Sequence, residues 1–218
     1  MIETHDLRVT YGRTVALDSL TVSIPEGITG LFGQNGSGKS TLLRALAGLL
    51  RPAAGEVRVL GRRAGDPSVR AVTGYVGHGA GLYARLTVEE NLDLFARLHG
   101  APPAAVARVL WKLGLEQWRT TRAGELSAGL KRRAAVARAL VSDPMILLLD
   151  EPFANLDDEA GELLTRAVLE WKEPGRVCVI ATHGAKRVKA FAGAGVILQR
   201  GRLVTQGVYR QDREVRTS

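Results

Sequence analysis

Eight residues, Gly33-Gln34-Asn35-Gly36-Ser37-Gly38-Lys39-Ser40, restrict what this chain can fold into more than any other stretch. They follow a short apolar run at residues 28–32. They precede a helical pattern over 39–50, in which Leu42, Leu43, Leu46 and Leu49 share one face. A turn of the form G-x-x-x-x-G-K-[ST] between strand and helix aims consecutive backbone N–H groups inward, with the positive helix end behind them. Gly33, Asn35, Gly36 and Gly38 then shape a phosphate-holding loop. Lys39 supplies a point charge to β and γ phosphates, and the Ser40 hydroxyl can ligate Mg²⁺. A plain Gly-rich turn is the alternative, and the strand–loop–helix context argues against it.

Around this loop the hydrophobic period changes twice. Residues 3–10 and 14–24 alternate as strands joined by a turn at Tyr11-Gly12-Arg13, and residues 56–60 alternate again. From Thr87, a candidate N-cap, to about Ser142 the period is helical. Val88, Leu92, Phe95 and Ala96 fall on one face there, and Pro102-Pro103 opens a further helix ending near Gly114. Residues 145–149, 177–181 and 196–198 are wholly apolar strands, and a helix from Asp158 sets Leu163, Leu164, Ala167, Val168 and Trp171 on one stripe. Apolar strands alternating with helices imply a parallel sheet buried on both faces. The expected class is α/β: a P-loop NTPase core with a mostly parallel sheet, an antiparallel N-terminal β layer and an inserted helical subdomain. We expect one domain over 1–218, with the core at 1–86 plus 143–218 and the helical part at 87–142.

Two further segments carry chemistry. The strand at 145–149 ends in Asp150-Glu151, which places one acid near a metal and another near an attacking water. The stretch Glu125-Leu126-Ser127-Ala128-Gly129-Leu130 precedes the helix carrying Lys131 to Arg138, and Ser and Gly at a helix start make either an anion site or a plain cap.

Residues 33–41, Leu126 to Gly129, Leu147 to Glu151, Asn155-Leu156-Asp157 and His183 stand in an order and spacing that resemble ABC-transporter nucleotide-binding subunits over nearly the whole chain. The resemblance implies that Tyr11 stacks on adenine, and that Gly36, Gly38, Lys39, Ser40 and Thr41 hold the phosphates and Mg²⁺. It implies that Asp150 holds Mg²⁺ through water, Glu151 polarises the attacking water, and His183 contacts the γ-phosphate. Ser127 and Gly129 would face the nucleotide of a second, head-to-tail subunit, with Asn155 and Asp157 at that interface. ATP and Mg²⁺ are the implied cofactors, and a second ATP-binding subunit (a homodimer) and separate transmembrane permease subunits the implied partners. The family's usual Gln is replaced in Tyr75-Val76-Gly77-His78, which puts metal coordination by His78 in doubt. Leu130 likewise stands where a Gln commonly ends the signature. Gly77-His78, residues 86–92, Leu-Ser-Ala-Gly and Asp150-Glu151-Pro152-Phe153 are similar to haem-exporter ATPases of cytochrome c maturation. The short chain after the last strands leaves no room for the regulatory domain of many sugar importers, which favours export. Residues from His78 to about Gly100 would dock on the permease.

Composition bears on the rival class. Lys plus Arg number 30 against 22 Asp plus Glu, a formal charge of +8. The clusters Lys131-Arg132-Arg133 and Arg200 to Arg216 could serve nucleic acid, an anionic membrane or an acidic partner, or could simply be solvated. A soluble ABC ATPase acting on nucleic acid, ribosomes or a cluster-assembly scaffold is the alternative, and a degenerate module a third reading. Aromatics are 5% with no base-stacking stretch, which makes nucleic acid the poorer fit. A single cysteine, Cys178, excludes an internal disulfide and reads as core. No run of ~18 apolar residues exists, and the N-terminus lacks secretory character. The expected place is therefore the cytoplasmic face of the inner membrane, held through permease subunits. His5 and His99 read as surface residues, and Trp111 and Trp118 as packing residues of the helical region.

Overall fold

The computed structural model describes residues 1–209; Arg210, Arg213 and Arg216 of the C-terminal basic cluster lie outside them. In chain order the elements are β1 (Ile2–Tyr11), β2 (Thr14–Ile24), β3 (Gly27–Phe32), α1 (Lys39–Leu46), β4 (Ala54–Val59), β5 (Arg62–Arg63), α2 (Pro67–Ala71) and β6 (Thr73–Val76). Three helices follow: α3 (Val88–Leu98), α4 (Ala104–Lys112) and α5 (Ala128–Leu140). The chain then returns through β7 (Ile146–Asp150), α6 (Asp158–Trp171), β8 (Val177–Thr182), α7 (Ala185–Lys189), β9 (Ala194–Gln199) and β10 (Arg202–Val208).

The strands form two sheets. One is antiparallel in the order β2-β1-β4-β5; the other has the order β10-β9-β3-β8-β7-β6. In the larger sheet every pairing is parallel except that of β10 with β9. Successive residues of β7 point to opposite faces, as a period of two requires. Leu147 and Leu149 enter a core shared with α3 to α6, while Ile146 and Leu148 enter a second core shared with α1, β1 and β2. Helix α1 packs on β7 and β8 and also on β2 and β4, so it lies between the two sheets. Covering both faces is what a parallel sheet of wholly apolar strands demands.

Three expectations need correction. Helix α1 stops at Leu46 rather than residue 50. Gly48 turns with φ +68°, and a Cβ there would sit 2.3 Å from the Ala64 carbonyl oxygen, so the chain leaves the helix and Leu49 faces solvent. Trp111 is 64% exposed and stands outside the helical core, because the buried stripe of α4 is Ala105, Val106, Val109 and Leu110. Trp118, by contrast, is half-buried against the helical core, and the buried Trp171 donates Nε1–H to the Pro144 carbonyl at 3.0 Å.

The third correction concerns the basic cluster of α5. Its side chains bind backbone rather than standing free: Lys131 and Arg133 are half-buried, Lys131 Nζ donating to the Gly124 carbonyl at 2.9 Å and Arg133 Nη1 to the Leu113 carbonyl at 2.9 Å. Arg132 is buried, on the same stripe as Ala135, Val136 and Ala139. In the other cluster, Arg202 pairs with Asp18 at 2.6 Å and Arg200 is exposed.

Candidate functional site

Three adjacent strands, β3, β8 and β7, end at the same edge, and the segments singled out above leave from those ends. Phe32 pairs with Thr182, and Ala181 with Asp150, so the phosphate loop, Thr182-His183 and Asp150-Glu151 stand side by side. Open α/β sheets bind ligands at this carboxyl edge.

The loop after β3 is built on conformations few side chains allow. Gly33, Gly36 and Gly38 have φ of +152°, +78° and +103°. A Cβ on Gly33 would meet the Leu198 carbonyl oxygen at 2.4 Å and Ser37 Oγ at 2.5 Å, so the loop lies directly on the end of β9. Helix α1 begins at Gly38 with no side-chain cap and no acidic residue in its first turn, which leaves its N-terminal amides to an anion. Lys39 is buried, and its ammonium donates to the Gly33 and Gln34 carbonyls at 2.7 and 3.1 Å, holding the charge over the loop. Ser40 and Thr41 are half-buried in the first turn of α1. A cavity of about 300 Å³ is lined by Gly33 to Ser37 together with Ile197 to Arg200 and Val204.

Asp150 is 1% exposed, and its Oδ2 has no hydrogen-bond partner among the described residues. A buried carboxylate oxygen left unpaired is costly, and a divalent cation or its bound water satisfies it. With the Ser40 hydroxyl this is a hard oxygen donor set, which fits Mg²⁺. Among the described residues no group of three His, Cys, Asp or Glu side chains is placed to hold a metal. Were Mg²⁺ held there, water and phosphate oxygens would supply its remaining ligands, as that ion prefers. His78 is exposed, and its ring makes no hydrogen bond to Ser40, Asp150 or Glu151 among the described residues.

Glu151 is held from all sides. Its φ is +50°, in the left-handed region. Its N–H donates to the Ala181 carbonyl at 2.8 Å, tying it to β8. Oε2 accepts from the Thr182 hydroxyl at 3.0 Å, and Oε1 accepts from the His183 backbone N–H at 2.9 Å and its Nδ1 at 2.8 Å. Because a carboxylate oxygen can only accept, Nδ1 carries a proton in this contact, and Nε2 is left free on an exposed side chain among the described residues. Thr182 was not singled out from sequence; its signal is its place as the last strand residue before His183.

Tyr11 is half-exposed at the end of β1. The guanidinium of Arg44 on α1 donates toward the Tyr75 and Tyr11 hydroxyl oxygens, which raises its pKa. The Tyr75 phenol is itself pushed up by burial.

In the Leu126 to Gly129 segment, Ser127 caps α5, its Oγ accepting from Leu130 N at 3.3 Å, and it is exposed. Gly129 approaches the loop after β7: a Cβ there would be 2.9 Å from the Asn155 carbonyl oxygen. Asn155 is exposed with φ +61°, and Asp157 Oδ1 caps α6 by accepting from Ala160 N at 2.8 Å. Leu130 packs, half-buried, on the helical core, an apolar role that suits its side chain.

Arg132 is the residue sequence reading missed most clearly. Its Nε donates to the Glu151 carbonyl at 3.0 Å and its Nη1 to the Gly77 carbonyl at 2.8 Å. Burial lowers its pKa, opposed by the charges of Asp150 and Glu151. Helical periodicity alone places position 132 on the buried stripe, and that signal could have found it.

The family model for the ABC transporter matches residues 17–154. The chain is 37% identical over 206 residues to the cytochrome c biogenesis ATP-binding export protein CcmA of Cupriavidus pinatubonensis, covering 92% of this chain and 89% of that one. It is 33% identical to the Nod factor export ATP-binding protein I of a Rhizobium species, over 94% of this chain and 70% of the relative. A solved dimeric post-hydrolysis state of the ATP-binding cassette MJ0796, bound to ADP and Pi, superposes with a TM-score of 0.87 at 27% identity, covering 96% and 99% of the two chains.

Proposed function

The chain belongs to the ABC transporter family as an ATP-binding ATPase subunit, and from that premise we propose that it dimerises head to tail on ATP and drives an exporter whose membrane-spanning subunits are separate chains. The observation that carries this reading is the division of phosphate-binding parts. The Gly33–Ser40 loop, Glu151 and His183 share one sheet edge, while the Ser127 start of α5 is a second, exposed helix N-terminus. A partner subunit is what brings that second helix end onto a nucleotide. The dimeric structure of MJ0796 supports the pairing of two such chains.

In this reading the glycine loop and Lys39 hold the β and γ phosphates, and Tyr11 stacks on adenine. Ser40 and Asp150 hold Mg²⁺, which supplies charge neutralisation to the phosphates when bound. Glu151 orients and polarises the water that attacks the γ-phosphorus as the bond to the β–γ bridging oxygen breaks. His183 steadies the Glu151 carboxylate through Nδ1–H and turns toward the γ-phosphate when the dimer closes. Asn155 and Asp157 lie at the subunit boundary. Residues 87–142 form a helical subdomain on a core assigned to 1–86 and 143–218, of which 210–218 lie outside the described residues.

Export of the cytochrome c maturation type is supported by the CcmA relative together with Gly77-His78 and Leu126-Ser127-Ala128-Gly129. No helix among the described residues is long and apolar enough to cross a membrane; in this reading the permease subunits supply the membrane attachment. The 78–100 segment, with Tyr83 and Leu98 57% and 69% exposed, is the docking surface. The soluble nucleic-acid alternative rests on the +8 charge, and the α5 cations add little to it because they bind backbone carbonyls. The test is ATP turnover by the purified chain, followed by its capture from detergent-solubilised native membranes. Stoichiometric multispanning partners, a haem-handling one among them, are the expected result. Soluble partners or ribosomes alone would overturn the transport reading.

A further inference from the structure

We propose that Arg132 is a positioning residue for the hydrolytic centre: one buried guanidinium fixes the Glu151 peptide and the Gly77 peptide to α5. The inference rests on the ATPase reading above. The two carbonyls leave the ends of neighbouring parallel strands, β7 and β6, where Leu149 pairs with Val76. The rigid fork of an arginine spans them with separate N–H groups, at 3.0 Å to Glu151 and 2.8 Å to Gly77; a lysine is a single point donor.

Three observations give this contact a purpose beyond packing. Arg132 is 7% exposed, pairs with no carboxylate among the salt bridges of the described residues, and leaves Nη2 unpartnered. Burying a guanidinium on such terms is unfavourable, and an apolar side chain would fill the stripe at no such cost. Next, the carbonyl it holds belongs to a residue in the left-handed region, a conformation that persists only where its surroundings impose it. Releasing that carbonyl frees the Glu151 peptide to rotate, and the carboxylate leaves Thr182 and His183. Finally, Gly77 adjoins His78 at the start of the segment read as permease-facing, and α5 starts at Ser127, read as partner-facing. Arg132 thus joins the water-orienting carboxylate to both outward contacts through rigid parts.

Arg138 supplies an internal comparison. On the same helix it donates to the Tyr75 and Gly81 carbonyls, both at 2.9 Å, and lies over the Phe95 ring, with no hydrogen bond to Glu151 among the described residues. A role confined to holding the 75–81 segment belongs to both arginines, whereas a role in orienting Glu151 belongs to Arg132.

The experiment compares steady-state ATPase and nucleotide binding of the full chain with those of Arg132→Met, Arg138→Met and Glu151→Gln. For Arg132→Met we expect kcat to fall at least ~30-fold while KM and the Kd of a fluorescent ATP analogue stay within about threefold. Arg138→Met should lose less than about fivefold in kcat. The double variant Arg132→Met/Glu151→Gln should be no slower than Glu151→Gln alone, because Arg132 acts through that carboxylate. Equal losses in the two arginine variants, or full additivity in the double, would overturn the assignment. Where Arg132→Met does not fold, Arg132→Lys decides: a kcat reduced about fivefold or more with binding intact supports the proposal, and wild-type turnover overturns it. A wild-type chain that binds ATP without hydrolysing it would instead overturn the ATPase reading, and this inference with it.

Discussion

Replacing Glu151 by Gln separates what this carboxylate does for the fold from what it does for turnover. Its two oxygens accept three hydrogen bonds, two from His183 and one from Thr182. A glutamine carbonyl oxygen can keep the His183 pair. Its amide N–H then meets Thr182 Oγ1, which can accept because it already does so from Gly184 N at 3.0 Å. Three bonds survive in number and lose charge assistance, each by roughly 1 kcal/mol, while desolvation of the carboxylate is relieved. We expect a net stability change of about 1–2 kcal/mol, small against the ~5–15 kcal/mol of a typical domain. Turnover is another matter. Loss of a group that polarises the nucleophile costs about 10²–10⁴ in rate, or ~3–5 kcal/mol of barrier. The assay is steady-state phosphate release beside light scattering in ATP. The expected species is a trapped dimer with twice the 23.4 kDa protomer mass. Turnover within about threefold of wild type, or a monomer in saturating ATP, would refute the assigned role of Glu151.

Three further outcomes follow from particular contacts. Gly33→Ala drives a methyl group against the Leu198 carbonyl oxygen and Ser37 Oγ, so the phosphate loop cannot lie on β9; ATP affinity should fall at least ~10-fold by isothermal titration with the fold retained. Thr87→Ala removes the capping box that Thr87 and Glu90 form at the start of α3 and should cost about 1 kcal/mol by urea unfolding, with ATP binding unchanged. Cys178 is fully buried and its thiol pKa is raised by that burial, so at pH 8 a thiol reagent should label it only at the rate of global unfolding; prompt labelling would contradict the packing of β8.

Much of the site was legible because its parts are continuous in sequence. Gly33 to Ser40 and the apolar strand ending in Asp150-Glu151 each declare themselves within eight residues. The family resemblance then ordered the remaining parts. Contacts made across the fold were not legible. Thr182 and His183 meet Glu151 across a sheet whose order is not written in local pattern, and the burial of Arg132 within a run of three cations depends on how α5 packs. Trp111 and Leu49 show the opposite failure, large apolar side chains whose neighbours end before reaching them. The short β5, β6, α2 and α7, between two and five residues each, are too brief for a period to register.

Strand β7 has no solvent face: all five residues are buried, the four apolar ones alternately in the two cores, and its amides pair within the sheet interior. Its backbone protons can therefore exchange with deuterium only when both cores open together, the slowest event available to the molecule. The exposed stretch around His78 and Tyr83, tied to α5 through side chains, belongs at the opposite end of that kinetic scale. The acids are thus mounted on the last part to come undone, and the segment that must answer to a partner on one of the first. A deuterium clock run along this chain should separate the anvil of the reaction from its lever.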